Sequence, residues 1–397
     1  MKKSSSFLSW SILSMSLLTV MAGAAIAPAL GIIKNHFCDV PVWQVQLIIS
    51  IPALFIIFTN LLFSTLCRLF KSRTLALTGL ILYVVCGTAP YFIDNISLIL
   101  VFRALLGVSV GMIMPLSTGL LSFYFPPEQQ GTLMGLAAAM NQMGGVIATL
   151  LAGILASISW NYAFLVYILG LIAVVFIVIF LPNEQIATPK TKQQVPCMKE
   201  RLKKFHPSIT GMFLCMSLFF VYPSNFAIIA SQQTSLSSNA ITIIMVALDV
   251  IAFFVGMFFS KLINVCRKSL KYYAPVCFII AYTLLATSGS IWALLVGSLF
   301  IGIANGAGIP YLNTIASIKG GKTAATTVMP LISASLYLGQ FLSPIYISSL
   351  GNALFNNALT APYMLAAIVA VIYLIQVICT RNLQALPPKQ QSSVNLE

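Results

Sequence analysis

"RALLGVSVGMIMP", residues 103–115, and "SLFIGIANGAGIP", residues 298–310, have the same rhythm. Each carries glycine four and eight positions after its first residue and proline twelve positions after it. One offset of 195 therefore pairs Gly107 with Gly302, Gly111 with Gly306 and Pro115 with Pro310. The same offset pairs Pro28 with Pro223 and Gly144 with Gly339. Glycine at every fourth helical position lets another backbone approach closely. Proline removes a helical hydrogen bond and bends the axis, which a membrane helix tolerates where neighbours satisfy the freed group. The pattern predicts a duplicated helical protein whose two copies bend and pack at equivalent places. The copies differ at their first letter, where one has Arg103 and the other Ser298.

Composition names the solvent. Hydrophobic residues make up 59% of the 397 residues and charged residues 7%, against about 25% charged in an ordinary soluble domain. Lipid must cover most of this surface. Twelve runs near the length of about 20 apolar residues needed to cross a bilayer lie between 9–33 and 359–380. They predict an all-α integral membrane protein with an N-terminal six-helix bundle over 1–182 and a linker over 183–207. A C-terminal six-helix bundle over 208–380 and a tail over 381–397 complete it. The opening "MKKSSSFLSWSILSMSLLTVMAGAA" resembles a secretory leader, but the apolar stretch continues through "IAPALGII" and is expected to stay as the first span.

The net charge of +14 is a topology signal. Of the 21 lysines and arginines, all but Lys34 and Arg103 fall in loops and ends on one side of the twelve-span arrangement. By the positive-inside rule that side is cytoplasmic, which places both termini there and argues against a nucleic-acid partner. Neither His36 nor His206 belongs to a catalytic constellation, and the eight cysteines show no metal-ligand spacing. No enzyme activity, cofactor or metal is expected. The linker is too short to form the nucleotide-binding unit of an ATP-driven pump.

With these features the chain resembles the major facilitator superfamily, and within it the twelve-span drug/proton antiporter branch. The loop motif of that family between spans 2 and 3 is matched by "STLCRLFKSRTLALTGL", residues 64–80, with Arg68 standing where the family has aspartate. The resemblance makes Arg68, Lys71 and Arg73 the inner gate loop. "RALLGVSVG" matches the family's span 4 motif through Arg103 and Gly107. Span 5 keeps Gly144, with Ala148 and Thr149 where the antiporter motif has glycine-proline, whereas span 11 has Gly339, Ser343 and Pro344.

An arginine near a helix centre costs about 2.5–3.5 kcal/mol on insertion scales, so Arg103 must find acceptors. Two roles are open. It lines the cavity and takes part in transport, or it is tied to carbonyl groups of span 1. Asp249 is the one acid placed mid-span. It is the candidate proton carrier, because desolvation penalises a carboxylate's charged form; the alternative is a satisfied polar contact with a neighbouring helix. By resemblance, spans 1, 4, 7 and 10, flanked by 2, 5, 8 and 11, line the pathway. The polar or soft side chains expected there are Met21, Met112, Asn141, Gln142, Tyr222, Asn225, Asn305, Asn313, Tyr337 and Gln340.

The resemblance implies a monomeric secondary transporter in the inner or plasma membrane, with the lipid bilayer, a small-molecule substrate and protons as its partners. It would export a neutral or anionic amphipathic solute by alternating access. An importer of an amino acid or organic acid on the same fold is the alternative, and a non-transporting membrane sensor or enzyme is a reading from another class.

Overall fold

The computed structural model describes residues 2–184, 198–233, 236–320 and 328–380. The tail at 381–397, Lys322 and most of the expected linker lie outside the described residues. The helix of span 7 begins at Met198, so the last part of the expected linker is helical. Among the described residues every regular element is a helix.

Twelve helices are long and apolar enough to cross a bilayer. Spans 1 to 6 are Phe7–His36, Val42–Phe63, Ser72–Phe92, Ile96–Tyr124, Thr132–Ala156 and Trp160–Phe180. Spans 7 to 12 are Phe205–Gln233, Ser238–Met257, Ser269–Thr287, Ile291–Lys319, Met329–Leu354 and Ala361–Cys379. Local chemistry sets their ends. The Asn95 side chain accepts from the backbone N–H of Ser97 and Leu98 at 3.0 and 3.2 Å and opens span 4. Pro330 and Pro362 start spans 11 and 12, where a missing N–H costs nothing.

The paired prolines do not behave alike. Pro28 sits in a 3₁₀ turn, Ala27–Ala29, that interrupts span 1 between the helices Lys2–Ala24 and Leu30–His36. Pro223, its partner by sequence offset, lies inside the unbroken helix Met198–Gln233. Pro115 and Pro310 are both held within continuous helices. Pro344 opens a π-helical turn, Pro344–Ser348, in span 11.

The repeat is realised in packing. Span 4 lies on spans 2 and 3, span 5 on span 1 and span 6 on span 3; span 10 lies on 8 and 9, span 11 on 7 and span 12 on 9. The paired glycines stand at the matching contacts. A Cβ on Gly107 would strike the Pro52 carbonyl oxygen of span 2, and one on Gly302 would lie 2.6 Å from the Leu248 oxygen of span 8. A Cβ on Gly144 would strike the Leu17 oxygen, and one on Gly339 would lie 2.6 Å from that of Phe213. Only hydrogen fits between these backbones.

The first six spans meet the last six mainly through span 5 on span 8, span 2 on span 11 and span 1 on span 7. The contact of spans 1 and 7 lies at the end of the bundle away from the basic loops. There Gly31 packs so closely on Ala227 that a Cβ would lie 2.6 Å from its oxygen. Spans 4 and 10 form no packed interface with each other among the described residues.

Candidate functional site

Prolines explain Arg103. Pro52 in span 2 has no N–H to offer the carbonyl four residues earlier, that of Ile48. Arg103 Nε donates to that oxygen at 2.5 Å. Span 1 is broken by Pro28, so Ala22 lies in the last turn of the helix Lys2–Ala24, where carbonyls lack intrahelical partners. Arg103 Nη2 donates to the Ala22 oxygen at 2.6 Å, and Tyr167 of span 6 donates to the same oxygen at 2.9 Å. Nη1 donates to the Tyr167 hydroxyl at 2.6 Å. A positive charge at a helix C-terminus is also favoured by the helix dipole.

The side chain is 0% exposed. It joins spans 1, 2, 4 and 6 of the first half and presents nothing to the space between halves. Of the two roles open for Arg103, this geometry is that of a guanidinium tied to carbonyl groups.

The second half solves the same place with smaller parts. Ser298 donates to the Leu294 oxygen at 2.6 Å and accepts from the Tyr222 hydroxyl at 2.7 Å. Tyr83 donates to the Leu18 oxygen at 3.1 Å, and Tyr282 donates to that of Leu218. Tyr363 packs its ring on Tyr282 at 6.0 Å, as Tyr167 does on Tyr83 at 5.5 Å; it is fully buried, and its hydroxyl has no hydrogen-bond partner among the described residues.

Asp249 in span 8 is half-buried, and its Oδ2 accepts from Thr149 Oγ1 of span 5 at 2.7 Å. Thr149 is 2% exposed. This bond joins the two halves. One helical turn further along span 5, Gly153 lies directly on Thr242 of span 8, with no room for a Cβ. Among the described residues Asp249 is the one acid inside a span and has no basic partner.

The expected cavity residues separate into groups. Asn141 of span 5 accepts from Thr19 of span 1 at 2.5 Å. Tyr337 of span 11 donates to Met114 Sδ of span 4 at 2.8 Å, and Gln340 lies 3.7 Å from where a Cβ on Gly23 of span 1 would stand. These contacts bring Tyr337 and Gln340 to the surface between halves. Asn225 also lies between halves, nearer the end away from the basic loops. It accepts from Gln46 of span 2 at 2.7 Å and donates to Ser348 of span 11 at 3.2 Å. Gln142, Asn305 and Asn313 are half-buried, and Asn305 Oδ1 is enclosed without a partner among the described residues.

Three further expected residues are buried. Met112 packs on Gly79 of span 3, because the face of span 4 that carries it turns toward its own half. Met21 is fully enclosed in the core. Tyr222 stacks on Phe226 at 4.4 Å and bonds Ser298 within the second half. The loop expected to gate the basic end is a short connection between the helices Val42–Leu69 and Ser72–Thr88. It is held by its own half. Arg73 donates to the Val178 oxygen of span 6, Ser72 N–H donates to the Glu184 oxygen at 2.9 Å, and Lys71 is exposed. Arg68 is also exposed.

Reading span by span missed Thr149, Gln46, Ser348 and Met114. Thr149 alone left a trace, at the position where the antiporter motif carries other residues.

Two repeats of six helices, with polar side chains facing one another between them, make the architecture of a membrane transporter and not of an enzyme. The Major Facilitator Superfamily profile matches residues 12–344, and the chain belongs to that family. Among its relatives is the quinolone resistance protein NorA of Staphylococcus aureus (strain MRSA252). It is 25% identical over 305 residues, covering 72% of this chain and 74% of that one. Multidrug resistance protein 3 of Bacillus subtilis (strain 168) is 25% identical over 119 residues, 30% of this chain, and the match spans 23% of that protein's length. A bacterial homologue of the human lysosomal transporter Spinster, solved inward-facing and unoccupied, shares the fold. Its TM-score is 0.74 at 15% identity, over 98% of this chain and 100% of that one.

Proposed function

We propose that this transporter exports a small uncharged amphipathic solute in exchange for protons, by alternating access between its two halves. The observation that carries the reading is the bond from Thr149 to Asp249 across the interface of spans 5 and 8. Protonated, the carboxyl is neutral and the two helices close over it cheaply. Charged and without a cation beside it, the same group costs on the order of several kcal/mol to bury. The charged form therefore favours the conformation that opens this interface to water, which ties proton binding to movement of the halves.

Apart from the Asp249 carboxyl, the polar side chains named between the halves are amides, hydroxyls and a thioether, which suit a solute without charge. An anionic solute loses its support once the donors of Arg103 are engaged. The quinolone and multidrug resistance named for the relatives supports export of drug-like compounds. The two six-helix bundles, 1–182 and 208–380, are proposed to move as units, with the basic loops and both termini on the cytoplasmic side of the plasma membrane. The contact of spans 1 and 7 at the other end supports reading this conformation as closed on that side.

The test is flux from proteoliposomes under an imposed pH gradient. Asp249→Asn should abolish gradient-driven flux while leaving solute exchange at equal pH. Thr149→Val should shift the pH at which flux is half-maximal, and Thr149→Ser should restore it. Gradient-driven flux at the parental rate in Asp249→Asn would remove Asp249 from the mechanism.

A further inference from the structure

A second feature lies at the end of the bundle away from the basic loops. Span 2 of the first half meets spans 7, 11 and 12 of the second half around a cavity of about 420 Å³. That volume falls within the roughly 300–1,000 Å³ of small-molecule sites. Its floor is the chain of bonds from Gln46 to Asn225 to Ser348, in which all three side chains are at least nine-tenths buried. The floor crosses from one half to the other. Gln46 Oε1 is enclosed there without a hydrogen-bond partner among the described residues. Above the floor stand Gln232, Ser349, Asn352 and Asn357 beside Trp43, Ile228 and Ile229. Asn356 and Asn357 both have positive φ, 50° and 56°. Asparagine tolerates that conformation better than most residues, and the turn carries Asn357 to the cavity wall.

Among the described residues no charged side chain lines this space. A charged ligand would lose its hydration with no counter-ion to replace it. An uncharged molecule with an N–H or O–H donor and an apolar body meets amide and hydroxyl acceptors on one side and Trp43 with the isoleucines on the other. We infer that this cavity is a second binding site for an uncharged amphipathic solute, placed on the far side of the floor from Tyr337 and Gln340. It rests on the transport reading above: a molecule held here occupies the station next to the outer solution. Filling it also braces span 2 against spans 7 and 11, so occupancy holds that end closed.

The test uses hexananilide, a neutral amide with one N–H, a phenyl ring and a short tail. Ser349 is exposed at the cavity rim, and Cys38 is exposed on the same face without lining the cavity. In full-length Ser349→Cys protein in nanodiscs, maleimide modification at 349 and at Cys38 is followed by site-resolved mass spectrometry. Hexananilide at about twice its Kd should slow modification at 349 about threefold, from mass action, and leave Cys38 unchanged. Phenyl hexanoate, which lacks the N–H, and the 6-phenylhexanoate anion should protect weakly or not at all. Gln46→Leu should raise the hexananilide concentration needed by about tenfold. Asn352→Leu, which leaves the floor intact, makes the same test if Gln46→Leu fails to fold.

No slowing at 349, equal slowing at Cys38, or equal protection by the anion would overturn the site. Hexananilide counterflow in proteoliposomes separates the two readings. Protection without flux keeps the site and sinks transport of this solute class. Flux without protection sinks the site alone.

Discussion

Arg103→Met tests the account of the buried charge. Methionine keeps the length and apolar stem of the side chain but removes every donor. The oxygens of Ile48 and Ala22 then lose the guanidinium, and Tyr167 loses its donor. At the membrane-protein average of about 0.6 kcal/mol per side-chain hydrogen bond, three bonds contribute about 2 kcal/mol. Counted as bonds to a charged group at about 1.5–3 kcal/mol each, they contribute about 5 kcal/mol or more. The expected destabilisation is about 2–5 kcal/mol, toward the upper end because Pro52 leaves Ile48 without a backbone substitute.

Arg103→Lys should recover only part of it, since one ammonium cannot reproduce the planar fork that meets three acceptors on three helices. The assay is reversible unfolding in mixed micelles, followed by tryptophan fluorescence, with flux measured on the same preparations. A double-mutant cycle with Tyr167→Phe should give a coupling of about 0.5–3 kcal/mol, because the two share the Ala22 oxygen. The reasoning is refuted if Arg103→Met unfolds within about 0.5 kcal/mol of the parent and yet loses transport. The guanidinium would then act on the solute.

The other expectations follow from the same contacts. Tyr167→Phe should destabilise by about 1 kcal/mol, whereas Tyr363→Phe should be neutral or stabilising, since its hydroxyl is buried without a partner among the described residues; paired unfolding curves check the asymmetry. Gly144→Ala should cost about 1–3 kcal/mol or block folding, because the new Cβ meets the backbone of Leu17. Gly119→Ala has open space around its Cβ and should be stabilising by up to about 1 kcal/mol through helix propensity. Thermal unfolding of the two variants side by side is the measurement.

The glycines were legible because their constraint is one of spacing. A close backbone approach at every fourth residue appears in the sequence as every fourth letter, and its repetition at one offset exposed the duplication. The partners of Arg103 were less so. Pro52 announces that the Ile48 oxygen lacks a donor, but nothing in the order of residues says that span 4 turns its arginine toward span 2. The rotation of each helix decided the rest. It sent Met112 to Gly79 and Tyr222 to Ser298, and brought Thr149 to Asp249, a hundred positions away along the chain.

Sequence alone therefore determined the solvent, the number of crossings, the duplication and the cost of charge within a span. These depend on how many apolar residues a bilayer needs and on where small residues recur, both of which are properties of a chain read in order. The tertiary structure decided which carbonyls the arginine satisfies, which helices carry the bond between halves and where spans 1 and 7 meet. Those depend on the rotation and tilt of packed helices, which are set by many weak contacts between residues far apart in the chain.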